Sequence, residues 1–538
     1  MMFQREDHNN QHFCKLNFSV DFPVLTCYNQ QHELNFNEFA IELFLERGKT
    51  AMQLFHLRLK EAMQKKNVKQ IDVLRAAEVQ NIKLGKSHMS QYVSGKSIPR
   101  ENILNFLAGY LEVTPQWLKG EDTPTTTEQT GEIPMRKFNK SSKLDDVLYD
   151  VRGPVVDEAA RMEEAGTHIL KLNIGNPAPF GFRAPDEVIY DMARQLTDCE
   201  GYSNSKGQFS ARKAIMQYMQ EKHVPNVTMD NIFTGNGVSE LINLSMLALL
   251  DTGDEVLLPS PDYPLWTACV TLAGGKPVHY ICDEQSDWNP DVNDMRSKIT
   301  SKTKAIVIIN PNNPTGALYP REVLQQIVDL AREHQLMIFS DEIYDRLVLN
   351  GEEHISIASM APDLFCVTFS GLSKSHMIAG FRVGWMVISG NVRLGKDYIE
   401  GVNMLSNMRL CSNVPAQSIV QTALGGYQSV KNYIVPGGRI YEQAEFITKA
   451  LNDIPGISAV KPKAGFYIFP KIDTKRFNIT NDEQFTFDLL RDKKILLISG
   501  KGFNWHQPDH FRIVYLPRIE VLDEAMVKLK DFLSYYRQ

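Results

Sequence analysis

Apolar positions take up a regular helical spacing only after about the first fifty residues. Residues 1–32 are polar, rich in Asn and Gln, and show no sustained period, while 33–47 could form a short amphipathic helix. From Met52 onward, apolar side chains recur at helical intervals. The pattern predicts that 1–51 is a flexible tail or a mis-assigned start, and that 52–120 is a separate all-α domain.

Short helices follow one another through this all-α domain. Leu54, Leu57, Leu59 and Met63 are expected to line the first helix. The others are predicted near Gln70–Ala77, at Ser87–Ser94 with Gly95 after its end, after Pro99, and from Thr114-Pro115.

Residues 121–139 predict a linker, since most of them are polar and Thr and Pro are frequent. From about residue 140 onward, short apolar runs alternate with longer helical stretches. Ala305–Ile309 and Leu336–Ser340 are two such runs. Near-continuous apolar runs are typical of buried parallel strands, so 140–538 is predicted to be an α/β domain.

Composition excludes several classes of protein. The chain has 538 residues, of which 43% are hydrophobic and 23% charged, as in globular proteins rather than disordered ones. No apolar run long enough for a membrane span and no signal peptide are evident. Its seven cysteines are scattered without a C-x-x-C pair, and the histidines form no metal-binding spacing. We therefore expect a cytoplasmic protein with reduced thiols and no metal.

Charge is distributed unevenly. The chain carries a net charge of −6, yet 52–120 contains eleven Lys and Arg against five Asp and Glu. A basic segment in an acidic chain indicates an anionic partner, although a solvated helical surface would look the same.

Four polar signals lie at or near predicted strand ends, where open α/β sheets bind ligands. The turn Asn310–Gly316 and Asp341 each follow an apolar run, and each alone could be structural. Lys374 is flanked by small residues, and Arg382, eight positions later, could bind a phosphate. Arg512 interrupts an apolar run and needs an anionic partner, for which a substrate carboxylate is one possibility.

Together these residues describe a pyridoxal 5′-phosphate site for amino acids. Their order and spacing over 140–538 resemble the class I/II aminotransferases of fold type I. Several stretches are similar to the bacterial alanine (glutamate–pyruvate) aminotransferases, namely Lys171–Phe180, Gly235–Leu241, Pro261–Trp266, Asn310–Gly316 and Ala423–Tyr427. The resemblance implies a large domain with a mostly parallel sheet (about 180–430) and a smaller α/β domain (140–179 plus 431–538).

The resemblance also implies roles around the cofactor ring. Lys374 would hold the cofactor covalently through its amine and then act as general base on the substrate. Asp341 would pair with the pyridine nitrogen. Tyr344 and Asn313 would hydrogen-bond the phenolic oxygen, and Tyr263 would stack on the ring.

At the cofactor phosphate, Arg382 would act with the start of a helix around Asn236, Gly237 and Val238. Many family members have a serine three residues before the lysine, where this chain has Gly371. That hydroxyl contact would be lost, or supplied by Ser370 or Ser373. Tyr202 would reach the phosphate of a neighbouring subunit, which implies a homodimer.

On the substrate side, the resemblance assigns Arg512, Asn313 and the backbone of Gly175 to the α-carboxylate. Tyr149 and Arg152 are either further substrate contacts or a structural pair. Because no second arginine for a side-chain carboxylate is evident, L-alanine is the simpler amino donor. 2-Oxoglutarate would be the acceptor, giving pyruvate and L-glutamate.

Residues 52–120 resemble a Cro/phage-repressor-type helix-turn-helix domain. Ser87, His88 and Gln91 would then face bases of duplex DNA, with Gln70, Lys86 and Lys96 near phosphates. The connection from Glu78 to Lys86 is longer than the usual turn of that family. The alternative is a helical bundle for dimerisation or protein contact.

Two functions follow. One is a working aminotransferase with an appended DNA-binding domain. The other is a transcriptional regulator that uses a silent aminotransferase fold to sense pyridoxal phosphate or an amino acid. The chain retains Lys374, Asp341 and Arg512, which favours the enzyme.

Overall fold

A computed structural model describes residues 54–120, 138–145, 147, 153–349 and 351–538, and the backbone of 2–7, 10–19, 22–29 and 32–33. The chain divides into two compact units, Met1–Phe138 and Asn139–Gln538. Residues 34–47 of the predicted amphipathic helix lie outside the described residues, and so do Tyr149 and Arg152.

The first unit begins with an antiparallel sheet, where the sequence showed no sustained period. Phe13 pairs with Tyr28, and Met2 pairs with Lys15. Cys14, Leu16 and Phe18 alternate with polar residues, a short period-two signal that the polar composition obscures. The strands are β1 (Met2–Asp7), β2 (Asn10–Ser19), β3 (Phe22–Asn29) and β4 (His32–Glu33).

Five helices follow in the described part of this unit, close to the predicted positions. Phe55, Leu59, Ala62 and Met63 of the first are buried, whereas Leu57 is 56% exposed, so the apolar face is rotated from the predicted one. Thr114 caps the fifth by accepting from the Trp117 amide at 3.1 Å. They are α1 (described over 54–65), α2 (Gln70–Val79), α3 (Lys86–Val93), α4 (Glu101–Leu111) and α5 (Pro115–Lys119).

An eight-stranded sheet forms the centre of the second unit. The strands are β6 (Ile232–Gly235), β7 (Glu255–Ser260), β8 (Lys276–Asp283), β9 (Asn289–Pro290), β10 (Thr303–Ile309), β11 (Met337–Asp341), β12 (Phe365–Gly371) and β13 (Gly384–Gly390). Their order is β6-β13-β12-β11-β10-β7-β8-β9. The run from β12 to β8 is parallel, whereas β13 is antiparallel to both of its neighbours. This sheet confirms the predicted α/β class.

Two apolar cores cover the two faces of this sheet. Along β10, Ile306 and Ile308 join one core, and Val307 and Ile309 join the other, as strand alternation requires. The helices of this part are α7 (Asp186–Gln195), α8 (Phe209–Glu221), α9 (Val238–Leu249), α10 (Leu265–Leu272), α11 (Val292–Lys298), α12 (Arg321–His334), α13 (Leu372–Ser375), α14 (Lys396–Met408), α15 (Val414–Ser418) and α16 (Val420–Gly425).

The remaining elements surround a third core built largely from the C-terminal segment, which includes Phe485, Phe511 and Leu529. Its short strands are β5 (Leu170–Lys171), β14 (Ile457–Ser458), β15 (Tyr467–Ile468), β16 (Lys471–Ile472), β17 (Ile495–Leu496), β18 (Ile498–Ser499) and β19 (Phe511–Val514). Its helices are α17 (Arg439–Asn452), α18 (Thr474–Phe477), α19 (Asp482–Lys493) and α20 (Ile519–Tyr535). Helix α6 (Pro154–Glu164) packs through Val155 and Ala159 in a separate small cluster with Leu490 and Leu496. Across the described ranges, no helix is both long and apolar enough to cross a membrane.

Candidate active site

The carboxyl ends of adjacent parallel strands bring the predicted polar residues together. Ile309, the last residue of β10, pairs with Asp341, the last residue of β11. The Asn310 amide then donates to the Asp341 carbonyl at 3.0 Å, so the Asn-rich turn begins beside the acid. Asn313 and Asp341 therefore lie at the same edge of the sheet.

Asp341 is a buried acid with two neutral donors. Trp266 Nε1 donates to its Oδ2 at 3.2 Å, and the Ile343 amide donates to its Oδ1 at 3.3 Å. Burial raises the pKa of Asp341 to about 6, against these two hydrogen bonds. A carboxylate held this way stabilises a protonated ring nitrogen brought close to it.

Lys374 lies on the short helix α13, which follows β12 directly. Its Nζ donates to the Gly175 carbonyl at 2.8 Å. Burial, with the nearby charges of Arg512 and Arg382, lowers the pKa of Lys374 to about 8. A much larger fraction of the amine is therefore neutral and nucleophilic at physiological pH than for an exposed lysine.

Arg512 is the buried cation of the site, with 2% of its surface exposed. Its Nη1 donates to Asn313 Oδ1 at 3.0 Å, and its Nη2 donates to the Asn173 carbonyl. The guanidinium carbon lies 4.7 Å from the centre of the Tyr467 ring. These contacts fix the plane of the guanidinium, as bidentate recognition of a carboxylate requires.

Gly175 leaves room that a side chain would fill. A Cβ added there would lie 2.0 Å from Tyr467 Oη and 2.7 Å from Phe466 Cε2. The Tyr467 hydroxyl is in turn 2.8 Å from the Tyr344 hydroxyl. The Gly175 backbone can therefore approach both the lysine and this tyrosine pair.

An anion-binding corner lies at the start of α9. Arg382 Nη2 donates to the Asn236 carbonyl at 3.2 Å, while its Nη1 donates to the Ala379 carbonyl at 2.8 Å. Gly237 has φ of +83°, and a Cβ there would lie 2.2 Å from Arg382 Nη2. The Arg382 guanidinium therefore lies against the N-terminus of α9. Its charge and the positive end of the helix dipole both favour the binding of a phosphate.

Steric crowding explains why a glycine, Gly371, lies three residues before Lys374. A Cβ added at Gly371 would lie 2.8 Å from the Val383 carbonyl oxygen and 3.0 Å from Gly384 Cα. A serine there would require the neighbouring strand to move. Ser373, which is on the same short helix as Lys374, instead lines the cavity.

One cavity of about 640 Å³ collects most of the predicted residues. Asn236 and Gly237 lie beside it rather than in its lining, and Tyr202 is 83% exposed. The predicted residues that line it are Gly175, Val238, Tyr263, Asn313, Asp341, Tyr344, Ser373, Lys374, Arg382 and Arg512. The cavity therefore contains an amine, an acid for a ring nitrogen, a phosphate-binding corner and a clamp for a carboxylate. This set fits pyridoxal phosphate together with an amino acid.

Sequence reasoning missed two contributors. Tyr467 comes from β15, far along the chain from Tyr344 and Arg512, both of which it contacts. Trp266, for which the sequence predicts no role, donates to Asp341. The available signal was a tryptophan in the apolar run Leu265–Leu272, because the N–H of a buried tryptophan usually has a partner.

In the first unit, the residues predicted to face DNA are exposed. Ser87, His88 and Gln91 lie on the outer face of α3, whose Met89 and Tyr92 are buried. Gln70, Lys86 and Lys96 are exposed as well. The connection between α2 and α3 spans Gln80–Gly85, longer than the usual turn, as predicted.

Comparisons with known proteins identify the family of this chain. The family model "Aminotransferase class I and II" matches residues 167–529. A glutamate-pyruvate aminotransferase AlaA from Haemophilus influenzae is 59% identical over 404 residues, covering 75% of this chain and all of the relative. An alanine aminotransferase from Mycobacterium bovis is 54% identical, covering 75% of this chain and 94% of the relative.

Solved structures give the same result. An aminotransferase from Escherichia coli superimposes with a TM-score of 0.74 at 57% identity, covering 75% of this chain and all of that one. An alanine aminotransferase from Pyrococcus furiosus gives 0.71 at 39% identity, covering 74% of this chain and all of that one. This chain therefore belongs to the class I and II aminotransferases, which are enzymes that use pyridoxal phosphate.

Proposed function

We propose that the protein transfers the amino group of L-alanine to 2-oxoglutarate, giving pyruvate and L-glutamate. This proposal rests on the hydrogen-bonded pair of Arg512 and Asn313, which we call the carboxylate clamp. The clamp lies in the same cavity as Lys374 and Asp341. The names and identities of the relatives support alanine as the donor.

The clamp orients the amino acid. Arg512 would hold the α-carboxylate in the plane set by Asn313, and the Gly175 backbone would lie against the same group. Tyr467 covers one face of the guanidinium and excludes water from it. The substrate Cα is thereby held in a fixed position.

Proton transfer would fall to Lys374. Bound pyridoxal phosphate supplies an electron-withdrawing ring that stabilises negative charge at the substrate Cα. Lys374 would remove the Cα proton in its neutral form, which is more populated than in an exposed lysine because its pKa is lowered to about 8. Asp341 would keep a proton on the ring nitrogen by hydrogen bonding, and Tyr344 would donate to the phenolic oxygen. Arg382 and the start of α9 would bind the phosphate.

The cations of the cavity favour a small side chain on the donor. Among the described residues that line it, these are Lys374, Arg382 and Arg512, and each has a role above. None is left for a side-chain carboxylate on the donor. Tyr149 and Arg152, outside the described residues, are proposed as further substrate contacts that would accommodate 2-oxoglutarate.

The test is a spectrum of the purified holoenzyme. L-Alanine should remove the visible absorption of the lysine-bound cofactor, and 2-oxoglutarate should restore it. L-Aspartate at the same concentration is the control and should act far more slowly. A visible band that L-alanine leaves unchanged would overturn the proposed donor.

We also propose a homodimer. Tyr202 is 83% exposed, and Met404, Met408 and Leu410 in and after α14 are 60%, 78% and 52% exposed. Large apolar side chains exposed together are typical of subunit interfaces. Light scattering of the holoenzyme should give twice the chain mass. Met408→Glu should shift it toward the monomer.

A second candidate function is binding of duplex DNA through 52–120. It is favoured by the outer face of α3, where Lys86, Ser87, His88 and Gln91 are all exposed and none is acidic. The full-length protein should bind duplex DNA with an affinity that falls steeply as salt rises. Lys86→Glu should weaken binding, and no binding at low salt would favour the dimerisation alternative.

The regulator with a silent enzyme fold is not favoured. A site that only senses a ligand could lose Asp341 or Arg512, and this site keeps both in one cavity with Lys374. Turnover of L-alanine with 2-oxoglutarate would decide between the two.

A further inference from the structure

A buried ionic cluster lies behind the segment that carries two of the cofactor residues. The segment runs from Asp341 to Asp345. Glu342 is fully buried and Asp345 is 9% exposed, yet neither lines the cavity. Asp341 and Tyr344, by contrast, line it. The segment therefore carries carboxylates on its far side that have no role in the chemistry described above.

Lys222, just beyond the C-terminus of α8, joins both carboxylates. Its Nζ lies 2.5 Å from Glu342 Oε2 and 2.8 Å from Asp345 Oδ2, and its side chain is 11% exposed. Burial alone would lower the pKa of Lys222, but the charges of Asp345 and Glu342 outweigh it and raise the pKa. The lysine is therefore a permanent cation between two buried acids.

Neutral donors hold the same carboxylates from other elements. The hydroxyls of Ser340 and Ser356 donate to Glu342 Oε1 at 3.0 and 2.8 Å. The Tyr218 hydroxyl, also from α8, donates to Asp345. Backbone bonds complete the turn, since the Glu342 amide donates to the Phe369 carbonyl at 2.8 Å and the Asp345 amide donates to the Glu342 carbonyl at 3.1 Å.

We propose that Lys222 is a positioning residue for the pyridoxal phosphate site: by holding Glu342 and Asp345, it fixes the turn that presents Asp341 and Tyr344 to the cofactor ring. Lys222 also balances the charge behind the ring, because without it Glu342, whose charge acts on Asp341, and Asp345 would lose the cation that they share. Arg346 and His354 are the other titratable side chains near Asp345, and both remain in the variants described below. This proposal depends on the family's cofactor, not on the choice of amino donor.

The proposal predicts opposite spectroscopic shifts for two variants. Lys222→Met leaves the site one unit more negative, so the visible band of the holoenzyme should titrate at a higher pH. Asp345→Asn leaves it one unit more positive, so the band should titrate at a lower pH. A purely structural role would lower stability in both variants without this change of sign. No substrate is needed, so the readout is independent of the proposed donor.

Turnover gives a second readout. In Lys222→Met we expect kcat to fall by about 10- to 100-fold, because small misplacements of catalytic groups cost this much. KM for L-alanine should change far less, since Arg512 and Asn313 are not in the cluster. Lys222→Arg, which keeps the charge, should recover part of kcat. Lys276→Met is the matched control, because Lys276 pairs with Glu255 at 3.0 Å while 67% exposed. That variant should behave like the wild type.

The outcomes are decisive either way. If Lys222→Met does not fold, Asp345→Asn carries the test through the downward shift and a lower kcat. If both variants fold, titrate where the wild type does and keep kcat within about twofold, the proposal is wrong. A shift in the same direction in both would also overturn it.

Discussion

Asp341 allows the clearest quantitative prediction, because the folded apoenzyme keeps this acid buried. Its pKa is raised from 3.8 to about 6 by burial. The folded apoenzyme therefore keeps the proton in a range of pH where the unfolded chain has already released it. Stability is lost as pH rises through that range, and the loss is complete above pH about 6.

The size of the loss follows from the two pKa values. It amounts to about 1.6 kcal/mol at pH 5 and about 3 kcal/mol at pH 8, because each pKa unit corresponds to about 1.4 kcal/mol. Asp341→Asn removes the ionisation and should make the apoenzyme more stable at pH 8. The amide can accept from only one of the two donors, Trp266 or Ile343, which should reduce the gain by about 1 kcal/mol.

The assay is urea unfolding of the apoenzyme by far-UV circular dichroism, comparing variant and wild type from pH 5 to pH 8. The difference between them should increase with pH by about 1.4 kcal/mol, while effects of other groups cancel. The holoenzyme should show the reverse order, because the variant loses the ion pair with the ring nitrogen.

A difference that does not depend on pH would refute the reasoning. So would an Asp341→Asn apoenzyme that is less stable than the wild type at pH 8. Either result would mean that the carboxyl is not penalised by burial, and that its role with the ring nitrogen does not require a buried acid.

The other predictions concern the amine, the clamp and the glycine of the site. Lys374→Ala should abolish the visible band of the holoenzyme, and a retained band would exclude this lysine as the covalent attachment. Because the pKa of Lys374 is about 8, the rate at which the apoenzyme takes up pyridoxal phosphate should rise with pH and level off above about 8. Arg512→Gln should lower kcat/KM for L-alanine by about 100-fold, mainly through KM, because a charged hydrogen-bond pair contributes about 3 kcal/mol; steady-state kinetics at saturating 2-oxoglutarate measure this. Gly175→Ala should lower the unfolding free energy by about 1–3 kcal/mol, since its Cβ would overlap Tyr467 Oη; urea unfolding checks it.

The sequence predicted the strand-end residues well because their positions depend on local order along the chain. Asp341 follows an apolar strand, Lys374 follows another, and the parallel pairing of neighbouring strands then brings such ends to one edge. The first helix was less well predicted. The hydrophobic pattern predicts that Leu54 and Leu57 line this helix, whereas the buried residues Phe55 and Leu59 follow the four-residue spacing of a helix face.

Lys222 shows what the sequence could not supply. A lysine just beyond the end of an amphipathic helix is normally a solvated side chain, and nothing near it in sequence indicates otherwise. Its role exists only because α8 packs against the Asp341–Asp345 segment, more than a hundred residues away. Each residue proposed to face the cofactor is recognisable in the sequence from the chemistry expected of it. Lys222, Glu342 and Asp345 have no such expected chemistry, because they act only by holding the segment in place. Their role can be inferred only when the tertiary contacts are known.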